Sequence, residues 1–243
     1  MKKTLLIAGA LLCLGVSMAS AQGGINLSWN DCGTTGVMTR TFACGNNSGA
    51  NTMYGSAIAP AEIPAMVAMA AVLDLQTNQA ALNPWWLMGT GECRSGLLTA
   101  DYNFLSSPGT CGDPWSGNAS GGSNYTSNFG MANRGRIRLV CAVAAPIDVD
   151  NVSENYYFKV TYTNGKTTGT GACAGCTDGA CIVFNSIELD QNPGVPNAVT
   201  IVTNPLNRSY VLWQSGGGSV AGGCPQAVPT KNATWGSVKS LYR

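Results

Sequence analysis

Arg136-Ile-Arg-Leu-Val-Cys-Ala-Val143, Tyr156-Tyr-Phe-Lys-Val-Thr-Tyr-Thr163 and Cys181-Ile-Val-Phe-Asn-Ser-Ile-Glu-Leu189 fall within one run, Arg134 to Leu189, whose alternation decides the fold. In the first, Ile137, Leu139, Cys141 and Val143 share a face and Arg136 and Arg138 take the other, the period of a half-buried strand. The second places Tyr156, Phe158, Val160 and Tyr162 on one face and Tyr157, Lys159, Thr161 and Thr163 on the other, and Asn164-Gly165 then supplies turn chemistry. The third, reaching Asp190, carries Val183, Ile187 and Leu189 on its inner face. Three such strands can form one sheet of a sandwich.

Working outward, Ile25, Leu27 and Trp29 alternate in a first strand, and Thr52 to Ala59 reads as a second. Pro60 and Pro64 break any helix. Met69 to Gln76 contains helix-favouring Ala, Met and Leu, but Leu73-Asp-Leu75-Gln alternates and turn residues bound it, so it is read as a strand. Leu97 to Phe104, with Leu98, Ala100, Tyr102 and Phe104 on one side, Val199 to Thr203 and Ser209 to Gln214 bring the count to about ten. Ser106 to Asn133 reads as a long loop rich in Gly, Ser and Asn. The expected class is all-β: a two-sheet antiparallel β-sandwich or jelly roll, one domain over 22–215, followed by a Gly-rich segment and short helix over 216–243.

Lys2 and Lys3, the apolar stretch Leu5 to Val16 and Ala19-Ser-Ala21 have the order of a secretory signal, with cleavage expected after Ala21. The mature chain then has 243 − 21 = 222 residues, and losing Lys2 and Lys3 leaves a net charge of 11 − 12 = −1. Cys13 lacks the preceding small residue of a lipoprotein signal, and no later apolar run approaches the roughly 20 residues of a membrane span. Ten percent charged residues beside 45% hydrophobic ones describe one sizeable core with uncharged loops. No broad basic surface attracts nucleic acid, and Arg134, Arg136 and Arg138 read as solvated surface.

Without Cys13, nine of the ten cysteines remain, and export makes disulfides their expected state. Cys32 with Cys44 and Cys93 with Cys111 are the local pairs; Cys176 with Cys181 and Cys173 with Cys224 are the most plausible others. Cys141, on the apolar face beside Leu139 and Val143, is the odd buried thiol. Zinc on Cys173, Cys176, Cys181 and Cys224 is the rival reading, and no metal or cofactor is expected.

The chain contains no histidine, which removes Ser-His-Asp and Cys-His hydrolases and His-ligated metals. Asp148-Val-Asp150-Asn-Val-Ser-Glu154 gathers oxygen ligands, but without EF-hand spacing it reads as a solvated turn rather than a Ca²⁺ site. Trp85, Trp86 and Trp115 offer flat faces on which sugar rings stack, with capping of the sandwich core as the competing, favoured role. Asn118 and Asn124 match the glycosylation acceptor pattern only as chance would. After Gly216-Gly-Gly-Ser219, Thr234 can cap a short helix with Trp235, Val238 and Tyr242 on one face and Lys239 and Arg243 toward its end. That segment either docks on the sandwich, is ordered by a partner, or serves as a sorting signal.

Asn133-Arg-Gly-Arg-Ile-Arg-Leu-Val-Cys-Ala-Val143, Thr168-Gly-Thr-Gly-Ala-Cys-Ala-Gly-Cys-Thr-Asp178 and Thr234-Trp-Gly-Ser-Val-Lys-Ser-Leu-Tyr-Arg243 resemble a group of uncharacterised secreted bacterial proteins over nearly the whole mature chain. The resemblance implies export and no particular activity. More distantly, the strand order is similar to that of cohesin and of sandwich carbohydrate-binding modules, and no site residues carry over. The expectation is a secreted, non-catalytic binding, adhesive or structural assembly protein at or outside the cell surface. Its partners would be polysaccharide, another surface protein or further copies of itself. A carbohydrate-binding module using Trp85, Trp86 and Trp115 is the alternative.

Overall fold

The computed structural model describes residues 23–196 and 198–214. The expected signal segment 1–21 and the segment 216–243, with its expected helix, lie outside the described residues. Eleven strands follow in order: β1 Gly24–Trp29, β2 Thr39–Arg40, β3 Ala50–Ile58, β4 Ile63–Thr77, β5 Leu98–Asp101, β6 Ser120–Ser127, β7 Arg134–Val149, β8 Asn155–Thr163, β9 Ala180–Gln191, β10 Val199–Val202 and β11 Tyr210–Trp213. A single 3₁₀ turn, Pro84–Trp86, is the one helical element among the described residues. The all-β expectation holds.

Two sheets face each other. The smaller runs β1-β3-β8-β5, and the larger runs β2-β11-β9-β4-β7-β6 with β10 also paired to β9. All the pairs are antiparallel except β11 with β2. Of the three strands of the central run, β7 and β9 share a sheet, on either side of β4, whereas β8 belongs to the other sheet. Alternation says which side chains share a face; it does not say which strand lies beside which, and the chain crosses between layers at both ends of β8.

β4 resolves the contest between helix and strand. Met69, Ala71, Leu73 and Leu75 are all buried, and side chains two apart share a face in a strand but point nearly opposite ways around a helix. β4 also lies between β7 and β9, the most interior place in the sheet.

Two bulges correct the expected faces. In β9, Val72 pairs with Ser186 and Leu73 with Phe184, so Asn185 is the extra residue. Ile182, Phe184, Ile187 and Leu189 therefore face the core, while Val183 lies outside with Cys181, Tyr210 and Leu212. In β8, Gly55 pairs with Phe158 and Ser56 with Tyr156, leaving Tyr157 extra. Tyr156 consequently shares a face with Lys159 and stacks on Phe104 at 5.0 Å, and Phe158 meets Phe184 of the opposite sheet at 5.0 Å. Gly55 is required here, because a Cβ on it would lie 2.0 Å from the Phe158 ring. Tyr157 is buried as well, its ring against Trp115.

The expected long loop 106–133 contains β6, whose sequence Ser-Gly-Gly-Ser-Asn-Tyr-Thr-Ser buries only Tyr125. An edge strand with one buried side chain has no alternation to read. The β1 edge of the smaller sheet is closed differently: Asn204 to Arg208 runs along β1, with Ile25 donating to the Asn204 carbonyl at 2.8 Å and Leu27 to that of Arg208 at 3.0 Å. This strap covers Asn26 and Ser28, which explains why every residue of β1 is buried.

Three disulfides join distant parts of the chain: Cys32 to Cys111, Cys44 to Cys176 and Cys93 to Cys173. These replace the expected Cys32–Cys44, Cys93–Cys111, Cys176–Cys181 and Cys173–Cys224 pairs. Proximity in sequence favours local pairs, whereas strand pairing brings the ends of loops from different hairpins together. The bridges also take Cys173 and Cys176 out of any zinc site. Cys181 is disulfide-bonded too, and Cys141 is the buried free thiol. Closing loops of 79, 132 and 80 residues is worth about 4.5–5 kcal/mol each in the chain-entropy model. Such bonds are consistent with an oxidising, extracellular setting. No helix among the described residues is long and apolar enough to cross a membrane.

Candidate functional site

The tryptophans singled out as a sugar platform are internal: Trp85, Trp86 and Trp115 are each 0% exposed. Trp86 meets the edge of Trp213 at 5.4 Å, and Trp85 lies 5.9 Å from the same ring. Trp115 donates its indole N–H to the Tyr157 carbonyl at 3.1 Å. None presents a face to a ligand, and the platform reading is corrected to core capping. Aromatic residues after a Pro-rich turn read alike whether they cap a core or stand on a surface. Burial decides between them.

A cleft of about 370 Å³ instead opens where the turn after β1, the loop before β6 and the turn before β8 converge. Its wall is the Cys32–Cys111 bridge, and Thr34, Thr35, Thr110, Ser153 and Glu154 line it. The turn forms because Asn30 and Gly33 adopt left-handed φ values of 71° and 53°, conformations that Asn and Gly tolerate best. Gly33 is needed on a second count, since a Cβ there would fall 2.6 Å from Glu154 Oε2.

Asp31 and Glu154 organise this end of the molecule. Asp31 Oδ1 accepts from the Cys32 N–H at 2.7 Å and the Tyr156 hydroxyl at 2.5 Å, and its Oδ2 accepts from Thr110 Oγ1 at 2.5 Å. Burial, then the contact with Asp31, pushes the Tyr156 hydroxyl up to about 12. Glu154 Oε1 accepts from Asn26 Nδ2 at 2.7 Å and Ser56 Oγ at 2.6 Å, tying the cleft to β1 and β3. Behind it Arg208 donates to Ser28 Oγ and the Gly33 carbonyl, each at 2.9 Å, and to the Gly36 carbonyl. Burial lowers the Arg208 pKa from its ordinary value, against the opposing pull of Tyr210 and Glu154. Asp31 stands in a legible turn signal, Asn30-Asp-Cys-Gly33; nothing in the sequence around Glu154 or Arg208 marks their convergence on it.

The carboxylates of Asp148, Asp150 and Glu154 do not converge. Asp148 accepts from the Ala65 N–H, Asp150 from the N–H groups of Val152 and Ser153, and Glu154 turns inward to Asn26 and Ser56. Among the described residues no group of three metal-ligating side chains occurs. Of the arginines, Arg136 makes a two-point contact with Asp74 at 2.7 and 2.8 Å and lies 3.8 Å over Phe129. Arg134 donates to Gln76 at 3.1 Å, and Arg138 is exposed. A second, smaller groove of about 280 Å³ runs between β5 and β6, beside Ser95, Leu98, Ser123 and Asn124.

Arg94 is the side chain that the residue pattern gave least reason to notice. It is fully buried, donates to the Trp85 and Thr163 carbonyls, and is held by no carboxylate among its hydrogen-bond partners. Burial lowers its pKa to about 10.

No protein-family model matches the chain, and no curated protein matches it.

Proposed function

We propose that the protein is a secreted, non-catalytic binding or assembly protein of the cell surface or extracellular space. It would recognise its partner with loops held on a disulfide-braced sandwich. The observation that carries this reading is the use made of its acids. Asp31, Asp74, Glu92, Asp101, Asp113, Asp148, Asp150, Glu154 and Asp178 each accept a hydrogen bond that holds a turn, a strand or a neighbouring loop. Carboxylates spent in this way build a frame. A glycosidase would need two of them converging on one bond.

The cleft beside Cys32–Cys111 is the favoured contact region, because hydroxyls and one carboxylate line a recess whose backbone is cross-linked. That chemistry suits a hydroxyl-rich partner such as a glycan, which keeps the carbohydrate-binding alternative without its tryptophans. Strand β6, at the end of the larger sheet, supplies an edge on which another chain can add a strand if the protein assembles.

A glycan array and a size measurement on the oxidised mature protein test the reading together. Saturable retention on a glycan, or a concentration-dependent rise in mass, is expected without release of product. With a ligand in hand, Thr34→Arg and Ser153→Arg should each weaken retention at least tenfold while leaving the melting temperature in place. Turnover of a polysaccharide by the purified protein would overturn the proposal.

A further inference from the structure

The outer face of the larger sheet carries an unusual set of side chains. The register aligns Ile201, Glu188, Ala70, Val140 and Gly122 in one row across β10, β9, β4, β7 and β6, and Val199, Asp190, Ala68, Ala142 and Ser120 in the next. Val140, Val199 and Ile201 are 56, 51 and 59% exposed. Small alanines between them keep the face flat, and two acids are set among these apolar residues.

The same face differs at its other end. Cys181 and Val183 lie on it, yet they are only 5 and 4% exposed, packed with the half-buried hydrophobics Tyr210 and Leu212. Cys181 is also disulfide-bonded, although every other described cysteine is either in one of the three bridges or is the free Cys141. Two cysteines lie outside the described residues, Cys13 and Cys224, and Cys13 falls in the expected signal segment.

We propose that this face is the seat of the chain's own carboxyl-terminal segment, which a Cys181–Cys224 disulfide fixes at one end and Trp235, Val238 and Tyr242 lay across the Val140–Ile201 patch. Forming the bond takes two protons and two electrons from the thiols, and a disulfide oxidant of the exporting compartment accepts them by exchange. Length permits the placement. Glu188 lies roughly 23 Å along β9 from Cys181 at about 3.3 Å per residue, and the chain between Cys224 and Trp235 spans up to roughly 36 Å. Charge favours it as well, because Lys239 and Arg243 are the basic residues near the end of the segment and Glu188 and Asp190 are the acids of the patch. Burying the apolar side chains on both partners supplies the driving force.

The test uses the full oxidised protein, prepared as a mixture of isotopically light and heavy copies. Non-reducing peptide mapping should yield a Cys181–Cys224 peptide, and a zero-length carbodiimide should join Lys239 to Glu188 or Asp190 within one copy. Val238→Asp should reduce that cross-link at least tenfold, with the unfolding midpoint of the sandwich retained and the disulfide still formed. Cys181 bonded to another cysteine would overturn the proposal, as would a mature chain ending before Trp235. Lys239 joined to other surfaces would do the same. Cross-links found only between light and heavy copies would replace the intramolecular segment with that of a second copy.

Discussion

The guanidinium carbon of Arg94 lies 3.3 Å from the centroid of the Trp85 ring, with both side chains fully buried. One nitrogen donates to the Trp85 carbonyl at 3.2 Å and another to that of Thr163. Arg94 thus joins the Pro84–Trp86 turn to the end of β8, beside the Cys93–Cys173 bridge. A charge in this place is tolerated because the ring face and two carbonyls replace its hydration. Arg94→Ala leaves both carbonyls without this donor and opens a cavity, and should cost about 3–5 kcal/mol in urea unfolding. Arg94→Lys should recover only part of that, since a single ammonium does not reproduce a planar fork.

Alkali should destabilise the protein. Burial raises the pKa of Tyr102, Tyr125, Tyr157 and Tyr162, and that of Tyr156 to about 12. Burial likewise pushes the Cys141 thiol up to about 12. Each keeps its proton in the native state after the unfolded chain has lost it. The stability it contributes is complete below its unfolded pKa and is lost as pH rises through the folded one. Arg94 and Arg208, whose pKa values burial lowers, act oppositely, but they are two groups against six. Urea midpoints should therefore hold steady from about pH 5 to 8, where the absence of histidine leaves little to titrate, and fall steeply above pH 10.

Cys141 should be silent until the protein unfolds. It is 4% exposed, and its raised pKa disfavours the reactive thiolate. Native protein should take up no thiol reagent at this position, and denatured, unreduced protein should label at Cys141. Labelling of the native protein at the same rate would contradict the packing described above.

Gly33→Ala tests the turn at the cleft. The new methyl meets Glu154 Oε2, and the residue must keep a φ of 53°. A loss of about 1–3 kcal/mol is expected. Glu154→Ala should cost about 1–3 kcal/mol by leaving Asn26 and Ser56 without their acceptor. The double variant should lose less than the sum of the two single losses, because removing Glu154 removes the clash; thermal melts of the four proteins check this.

Removing a buried tryptophan should unfold the protein rather than disarm a binding site. Trp85→Ala, Trp86→Ala and Trp115→Ala are each expected to cost about 3–5 kcal/mol. A variant with an unchanged melting temperature and abolished glycan retention would restore the platform reading.

Period-two alternation by itself identified β1, β4, β7, β8 and β9, because each has a buried face whose side chains must recur at every second residue. It also identified Cys141 as the thiol left over, from its place among apolar neighbours. What the alternation did not contain was any relation between segments remote in sequence. The layer to which β8 belongs, the Asn185 and Tyr157 bulges that reversed the faces of Val183 and Tyr156, and the three long-range disulfides all follow from which strands meet. The gathering of Asp31, Glu154 and Arg208 around the turn after β1 has the same origin. A lone edge strand such as β6, with one buried residue, has no periodic signal at all. Side-chain pattern reports how a segment meets a core, and only the closed pair of sheets determines what stands on the other side of it.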